Sequence, residues 1–481
     1  MRATLERREF LQLALAGTAL GAGCWPRTIL ANAGATSGII SPGCRRSKVK
    51  VARIYLGNPA GGWPLPRAKL NLEEDVKSYA PAFEAMKEEL ADVEFFVDQL
   101  VTSTAQVAEI RDKLQQADGI LVIHLSIGIM PMLNKILEAG RPTLVFAVPY
   151  SGHEWASFGA MLRDEQHPNF DCILTADRSQ LAAAIRPFRA LHHLREAKVL
   201  NLSTRTPPKF VDEVKTKFGT EIKHIDLDRT VKAYEAVSDA DAQAEAERWI
   251  TGATKIVEPA REEIVRSCKL ALAFERLLAE EDATVMTADC YGSMWAGTIR
   301  LPAYPCVGFA RLNNLGLGGI CESDLRSAMT HILFQGLSGR PGFISDPTVD
   351  QSANSIILAH CMGTPRMDGP DKPPAPYKLR CVMEREEGVV PQVFMRVGEK
   401  ATQALLATTE QLIYFTGEIT EAPDVERGCR TKITVKVDGD VERLWRNWTS
   451  GLHRVTCYGD LRQDLTRFCR LAKVDMVDEA A

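Results

Sequence analysis

Three side chains in the last third of the chain could share one piece of chemistry. Glu322 follows the glycine pair of "LGGICESD", Asp346 closes the apolar run "PGFIS" ahead of Pro347, and His453 lies in "GLHRVTCYG". Two carboxylates and an imidazole supply oxygen and nitrogen donors, a set that suits a divalent ion such as Mn2+ and suits thiophilic metals less. The same carboxylates could also move protons as general base and general acid. His360, in "LAHC", is a candidate further ligand. Taken singly, each residue also has an ordinary role: an acid at a helix start, an Asp that forms a turn, a histidine hydrogen-bonded inside a core. Spacing alone does not bring them together.

The elements that must position them are legible in part. After Glu322, apolar residues recur at Leu325, Ala328, Met329, Ile332, Leu333 and Leu337, which predicts an amphipathic helix. Glu322 then stands at its N-terminal end, where free amides and the helix dipole favour a carboxylate. His331 falls on the polar side of this helix and is expected in solvent. His453 shares one face of a strand with Val455 and Cys457 by alternation. Upstream, "VKVARIYLG", "VEFFV", "GILVIHL", "PTLVFAV", "CILTA" and "KVLNLS" alternate with helical patterns near 73–90, 104–116, 130–139 and 179–194. Such βα repetition predicts parallel sheets with helices on both faces.

The fold expected is α/β: two doubly wound α/β domains, over 48–177 and 178–362, followed by a mainly antiparallel β-barrel-like domain over 377–481. The second carries the carboxylate pair. The Pro/Gly-rich "GTPRMDGPDKPPAP" (363–376) is the linker before the barrel. Ligands approach such parallel sheets at the carboxyl ends of the strands, here the loops 57–64 and 149–155. Neither loop has the G-x-G-x-x-G pattern, which argues against a dinucleotide.

Composition narrows the class. With 481 residues, 45% hydrophobic and 25% charged, the chain has enough apolar surface for about three domains at roughly 150 residues each. A net charge of −4 excludes a partner held by many cationic contacts, such as a nucleic acid. The 12 cysteines contain no C-x-x-C pair, which excludes a zinc ribbon and leaves disulfide pairing open. At the N-terminus, Arg7 and Arg8 precede an uncharged run from Phe10 to Gly23, and "ANA" (31–33) offers a cleavage site. Residues 1–33 are therefore expected to be a twin-arginine export signal and 34–47 a linker, placing the protein in the periplasm after transit through the export machinery. Cys24 is an alternative lipid-attachment site.

The run "LNNLGLGGICESDLRSAMTHILFQGLSGRPGFISD", with Asn354, "HC" at His360–Cys361 and "SGLHRVTCYGD", resembles the C-terminal half of the L-fucose isomerase and L-arabinose isomerase superfamily. The 24 positions between Glu322 and Asp346 resemble the separation of the metal-binding carboxylates in the fucose branch. The resemblance implies a metal-dependent aldose–ketose isomerase working through an ene-diol. Glu322, Asp346 and His453 would hold Mn2+ or another divalent metal, and the two carboxylates would be the catalytic pair. It also implies a sugar substrate and a homo-oligomer, trimer or hexamer. An exported sugar-binding protein that keeps the fold without turnover is the alternative.

Overall fold

The computed structural model describes residues 47–60, 64–163, 167–203, 208–290 and 300–481. The predicted export signal, with Arg7, Arg8 and Cys24, lies outside the described residues.

β1 (Val49–Leu56), β2 (Val93–Val101), β3 (Gly119–His124), β4 (Thr143–Ala147) and β5 (Phe170–Leu174) form a parallel sheet in the order β2-β1-β3-β4-β5. Every residue of β3 and β4 is buried, as expected of central parallel strands covered on both faces. Two helices predicted as continuous are broken. The segment expected at 73–90 ends its first helix at Lys77 and restarts at Ala80, with Pro81 in the first turn, where a missing N–H costs nothing. The segment expected at 104–116 divides at Ile110 into Thr104–Glu109 and Arg111–Leu114.

β6 (Lys198–Leu202), β7 (Glu221–Ile225), β9 (Val285–Ala288) and β10 (Gly318–Cys321) make a second parallel sheet, ordered β10-β9-β6-β7; β8 (Lys255–Ile256) lies apart from it. The "NNLGLGG" run has a local cause here. The Asn313 side chain accepts from the Gly319 amide at 2.7 Å and donates to the Gly319 carbonyl at 3.1 Å, clamping β10 against the helix Cys306–Asn314. A Cβ on Gly319 would sit 2.4 Å from the Phe309 backbone, so only glycine fits.

The third layer is a closed barrel of β11 (Phe343–Asp350), β12 (Ser355–His360), β15 (Lys400–Thr408), β16 (Gln411–Glu421), β17 (Thr431–Val437) and β18 (Arg454–Tyr458). Its order is β15-β18-β11-β12-β17-β16, and the β15–β16 pairing shuts it; β19 (Asp475–Asp478) adds in parallel to β16. The barrel draws strands from both sides of the Pro/Gly-rich segment. β11 and β12 precede that segment, whereas β13 (Tyr377–Val382) and β14 (Glu387–Val393), which follow it, pair with each other and with β8.

Register decides what meets at the barrel rim. Phe343–Ser345 pair with Thr456–Arg454 of β18, and from Asp346 onward β11 pairs instead with β12, Asp346 opposite Ala359. One rung beyond the first ladder lies His453, and one beyond the second lies His360. Both histidines are thus delivered beside Asp346. The helix Leu325–Ser338 joins β10 to β11, so Glu322, at the carboxyl end of β10, faces the same rim.

Candidate metal centre

Glu322 and Ser323 both have left-handed backbones, with φ of 64° and 58°. Neither is glycine, and such conformations cost about 1–3 kcal/mol each. The double kink ends β10 abruptly and turns the Glu322 side chain toward the barrel. The helix that follows is capped two residues later than the sequence predicts. Asp324, not Glu322, is its N-cap, with Oδ1 accepting from the amides of Arg326 at 3.0 Å and Ser327 at 3.2 Å.

Released from capping, Glu322 meets the imidazoles. Its Oε1 lies 3.5 Å from Nε2 of His360 and its Oε2 3.6 Å from Nε2 of His453. Asp346 Oδ1 is 3.3 Å from the same His453 nitrogen. The two rings stand 5.6 Å apart at 65°. Asp346 belongs to the interior of β11 rather than to the turn that Asp-Pro predicts, because its place is set by the pairing with β12.

Asp324, which the sequence reading assigned no role, has a second task. Its Oδ2 is 2.9 Å from Nδ1 of His453, which fixes the ring and leaves Nε2 directed at Glu322 and Asp346. A carboxylate behind a ligating histidine is a common support in metal sites. Burial opposes a charged imidazole, but the Asp324 and Asp346 carboxylates outweigh it and push His453 up to about 10. Burial likewise works against ionised Asp324 and Asp346, and His453 nonetheless holds both below the ordinary carboxylate range. Without a cation, a proton on His453 supplies the positive charge that these acids demand.

The donor set fits a divalent ion. Ligand atoms of Glu322, His360 and His453 all lie within 4.8 Å of one another. Among the described residues, Asp346 Oδ1, His453 Nε2 and both ring nitrogens of His360 are buried with no well-aligned hydrogen bond. Buried polar atoms are normally satisfied, so a convergent set of this kind could hold a cation. The set is two carboxylates and two imidazoles, with no thiol. A cavity of about 500 Å³ opens onto Glu322, Asp324 and His453 and is walled by Asn201, Phe210 and Arg326.

His331 does not belong to this group and is not in solvent. It is fully buried, with Nε2 bonded to the Leu317 carbonyl at 3.3 Å and Nδ1 accepting from the Gly342 amide at 3.0 Å. The helix that carries it is covered on nearly every side, by the second sheet, the helix Gln180–Glu196 and the barrel, so its polar stripe is also interior.

No family model matches the chain. The sulfoquinovose isomerase of Clostridium sp. (strain MSTE9) is 23% identical over 318 residues, covering 62% of this chain and 67% of that protein. The chain is thus similar to a sugar isomerase at low identity.

Proposed function

We propose that the protein is a metal-dependent aldose–ketose isomerase whose centre is formed by Glu322, Asp346, His453 and His360. The observation that carries this reading is the convergence of these four side chains, with buried ligand atoms of Asp346, His360 and His453 making no well-aligned hydrogen bond. A divalent cation, Mn2+ by its hard donor set, would supply Lewis acidity that polarises the sugar carbonyl and acidifies the neighbouring C–H. The remaining work falls to the chain. One carboxylate of the Glu322/Asp346 pair takes the proton from the carbon beside the carbonyl, leaving an ene-diol, and returns it to the adjacent carbon. The other passes a proton between the two sugar oxygens. Asp324 holds His453 in place, and the kinked backbone at 322–323 keeps Glu322 over the cavity.

The named substrate of the relative, and Arg326 as a cation in the cavity wall, favour including sulfoquinovose among the sugars tested. The resemblance to fucose and arabinose isomerases favours a homo-oligomer. Export rests on Arg7 and Arg8: a double change to lysine is expected to hold the precursor in the cytoplasm, and equal periplasmic yield would remove this part of the proposal.

The decisive experiment is metal analysis of the purified protein followed by an isomerisation screen over free aldoses and ketoses. Turnover of at least one sugar is expected, lost on chelation and restored by Mn2+. Tight sugar binding by metal-replete protein, with no interconversion of any bound sugar, would replace the proposal with the exported binding protein.

A further inference from the structure

A second convergence lies beside the barrel rim, built from cysteines that the sequence keeps 68 positions apart. Cys361 directly follows the last rung of the β12–β17 ladder, His360 opposite Thr431, and Cys429 lies just before that rung on the other chain segment. Glu384, in the turn between β13 and β14, completes the group. The sulphurs of Cys361 and Cys429 and a carboxylate oxygen of Glu384 lie within 4.8 Å of one another, and both thiols are free. Cys429 Sγ is 3.9 Å from Glu384 Oε1. Glu384 is exposed and has no ion pair among the described residues.

The arrangement is held from behind rather than left to a loose loop. Arg430, 7% exposed, donates through Nε to the Cys381 carbonyl at 3.0 Å and lies 3.3 Å from the Cys381 sulphur. It also pairs with Glu426 at 3.0 Å, and Glu426 in turn meets Arg380 at 2.8 Å. These bonds tie the strand leading into β17 to β13, and so set Cys429 beside the turn that carries Glu384. Lys432 donates to the Val425 carbonyl at 3.0 Å, placing a further cation near the thiols.

We propose that Cys361, Cys429 and Glu384 bind a thiophilic divalent cation, zinc or its equivalent, in a site separate from the carboxylate–imidazole centre. Two thiolates and a carboxylate match the soft and borderline preferences of Zn2+ and leave a fourth tetrahedral position to water. Binding releases the two thiol protons to solvent. Lys432 lies close enough to Cys429 to offset part of the negative charge of the ligands. The three ligands come from the barrel and from the small β8–β13–β14 sheet, so the cation would staple one to the other directly behind His360.

The test uses the full chain, stripped with a chelator under reducing conditions and titrated with Co2+ as the probe. With the carboxylate–imidazole centre first refilled with Mn2+, thiolate-to-cobalt charge-transfer absorption is expected, saturating at about one equivalent per chain, the stoichiometry of a mononuclear site, and bleached by Zn2+. Cys361→Ser/Cys429→Ser should lose the bands and retain Mn2+, whereas Glu322→Gln should lose Mn2+ and retain the bands. Should the double variant fold poorly, Cys429→Ser alone, which removes one of the two thiolates, should weaken the bands and lower the cobalt affinity. The proposal is overturned by absence of charge-transfer bands in the reduced unmodified protein, by bands that persist without the cysteines, or by a chain two hydrogens lighter with Cys361 and Cys429 disulfide-linked and no zinc taken up after reduction.

Discussion

Two buried charge clusters in this molecule are built to opposite ends. In the helical layer on the second sheet, Arg311 is fully buried between Glu245, at 2.6 Å from Nη1, and Glu275, at 3.0 Å from Nε. Glu245 is further held by Trp249 at 3.1 Å and Arg248 at 2.7 Å. At the barrel rim, the ion pairs of Glu322 and Asp346 among the described residues are with imidazoles, and four buried oxygen and nitrogen atoms there make no well-aligned hydrogen bond. The first cluster is completed by the protein's own atoms and locks helices together. The second is left with ligand atoms that could hold a cation. Burial of charge alone therefore does not distinguish the two clusters; the completeness of their hydrogen bonds does.

The contrast can be broken most directly at Glu322. Glu322→Gln keeps the shape but removes a charged ligand and a proton carrier, so isomerase activity should fall by about 10²–10⁴-fold, the usual worth of an acid–base group. Bound Mn2+ should be lost while the urea midpoint moves little. Arg311→Met should do the reverse. It strands Glu245 and Glu275 as uncompensated buried acids and should cost about 3–5 kcal/mol of unfolding free energy. Metal bound per folded molecule should stay at the level of the parent. Equal metal loss in both variants would erase the distinction between the clusters.

The parts legible in the sequence are those set by local pattern. Buried parallel strands such as "GILVIH" and "TLVFA" print as unbroken apolar runs, and the helix after Glu322 prints its own period. The barrel was legible as alternation but not in its membership. β11 and β12 enter it through pairings with β18 and β17, about which "FISDPTVD" and "SIILAH" say nothing. For the site, residue chemistry and resemblance singled out Glu322, Asp346, His453 and His360, all of which meet. Asp324 carried a signal, since Asp ahead of a helix is an N-cap, but its hold on His453 depends on a ladder that only the folded chain displays. The Cys361–Cys429 pair is hidden for the same reason: spacing rules see short motifs, whereas these thiols meet across a strand pair.

Asp324 separates its two tasks by substitution. Asn caps a helix as well as Asp does, so Asp324→Asn should keep the cap, and any stability it loses reports the broken pairing with His453. It replaces the anion behind His453 with a neutral group, and loss of such support typically weakens metal binding by about 10–100-fold. Asp324→Ala should show the same metal defect plus about 1 kcal/mol of lost stability from the missing cap. Titration with Mn2+ and thermal unfolding on both variants separate the effects. Full metal affinity in Asp324→Asn would reduce Asp324 to a cap.

The smallest effect expected is at His331, and it sharpens the comparison because this histidine is buried yet satisfied. Its ring accepts from the Gly342 amide and donates to the Leu317 carbonyl, a pattern available only to the neutral form. Burial pushes it down to about 4 from an ordinary value of 6.5. Between those values the unfolded chain holds a proton that the folded chain lacks, so stability falls as pH falls through this window. The slope should approach about 1.4 kcal/mol per pH unit from this residue alone. His331→Gln can keep one donor and one acceptor without titrating. Its stability deficit against the parent, from urea unfolding, should be constant above about pH 6.5 and shrink steadily toward pH 4.5. A deficit that stays constant over the whole range would mean that His331 is not held neutral in the folded protein.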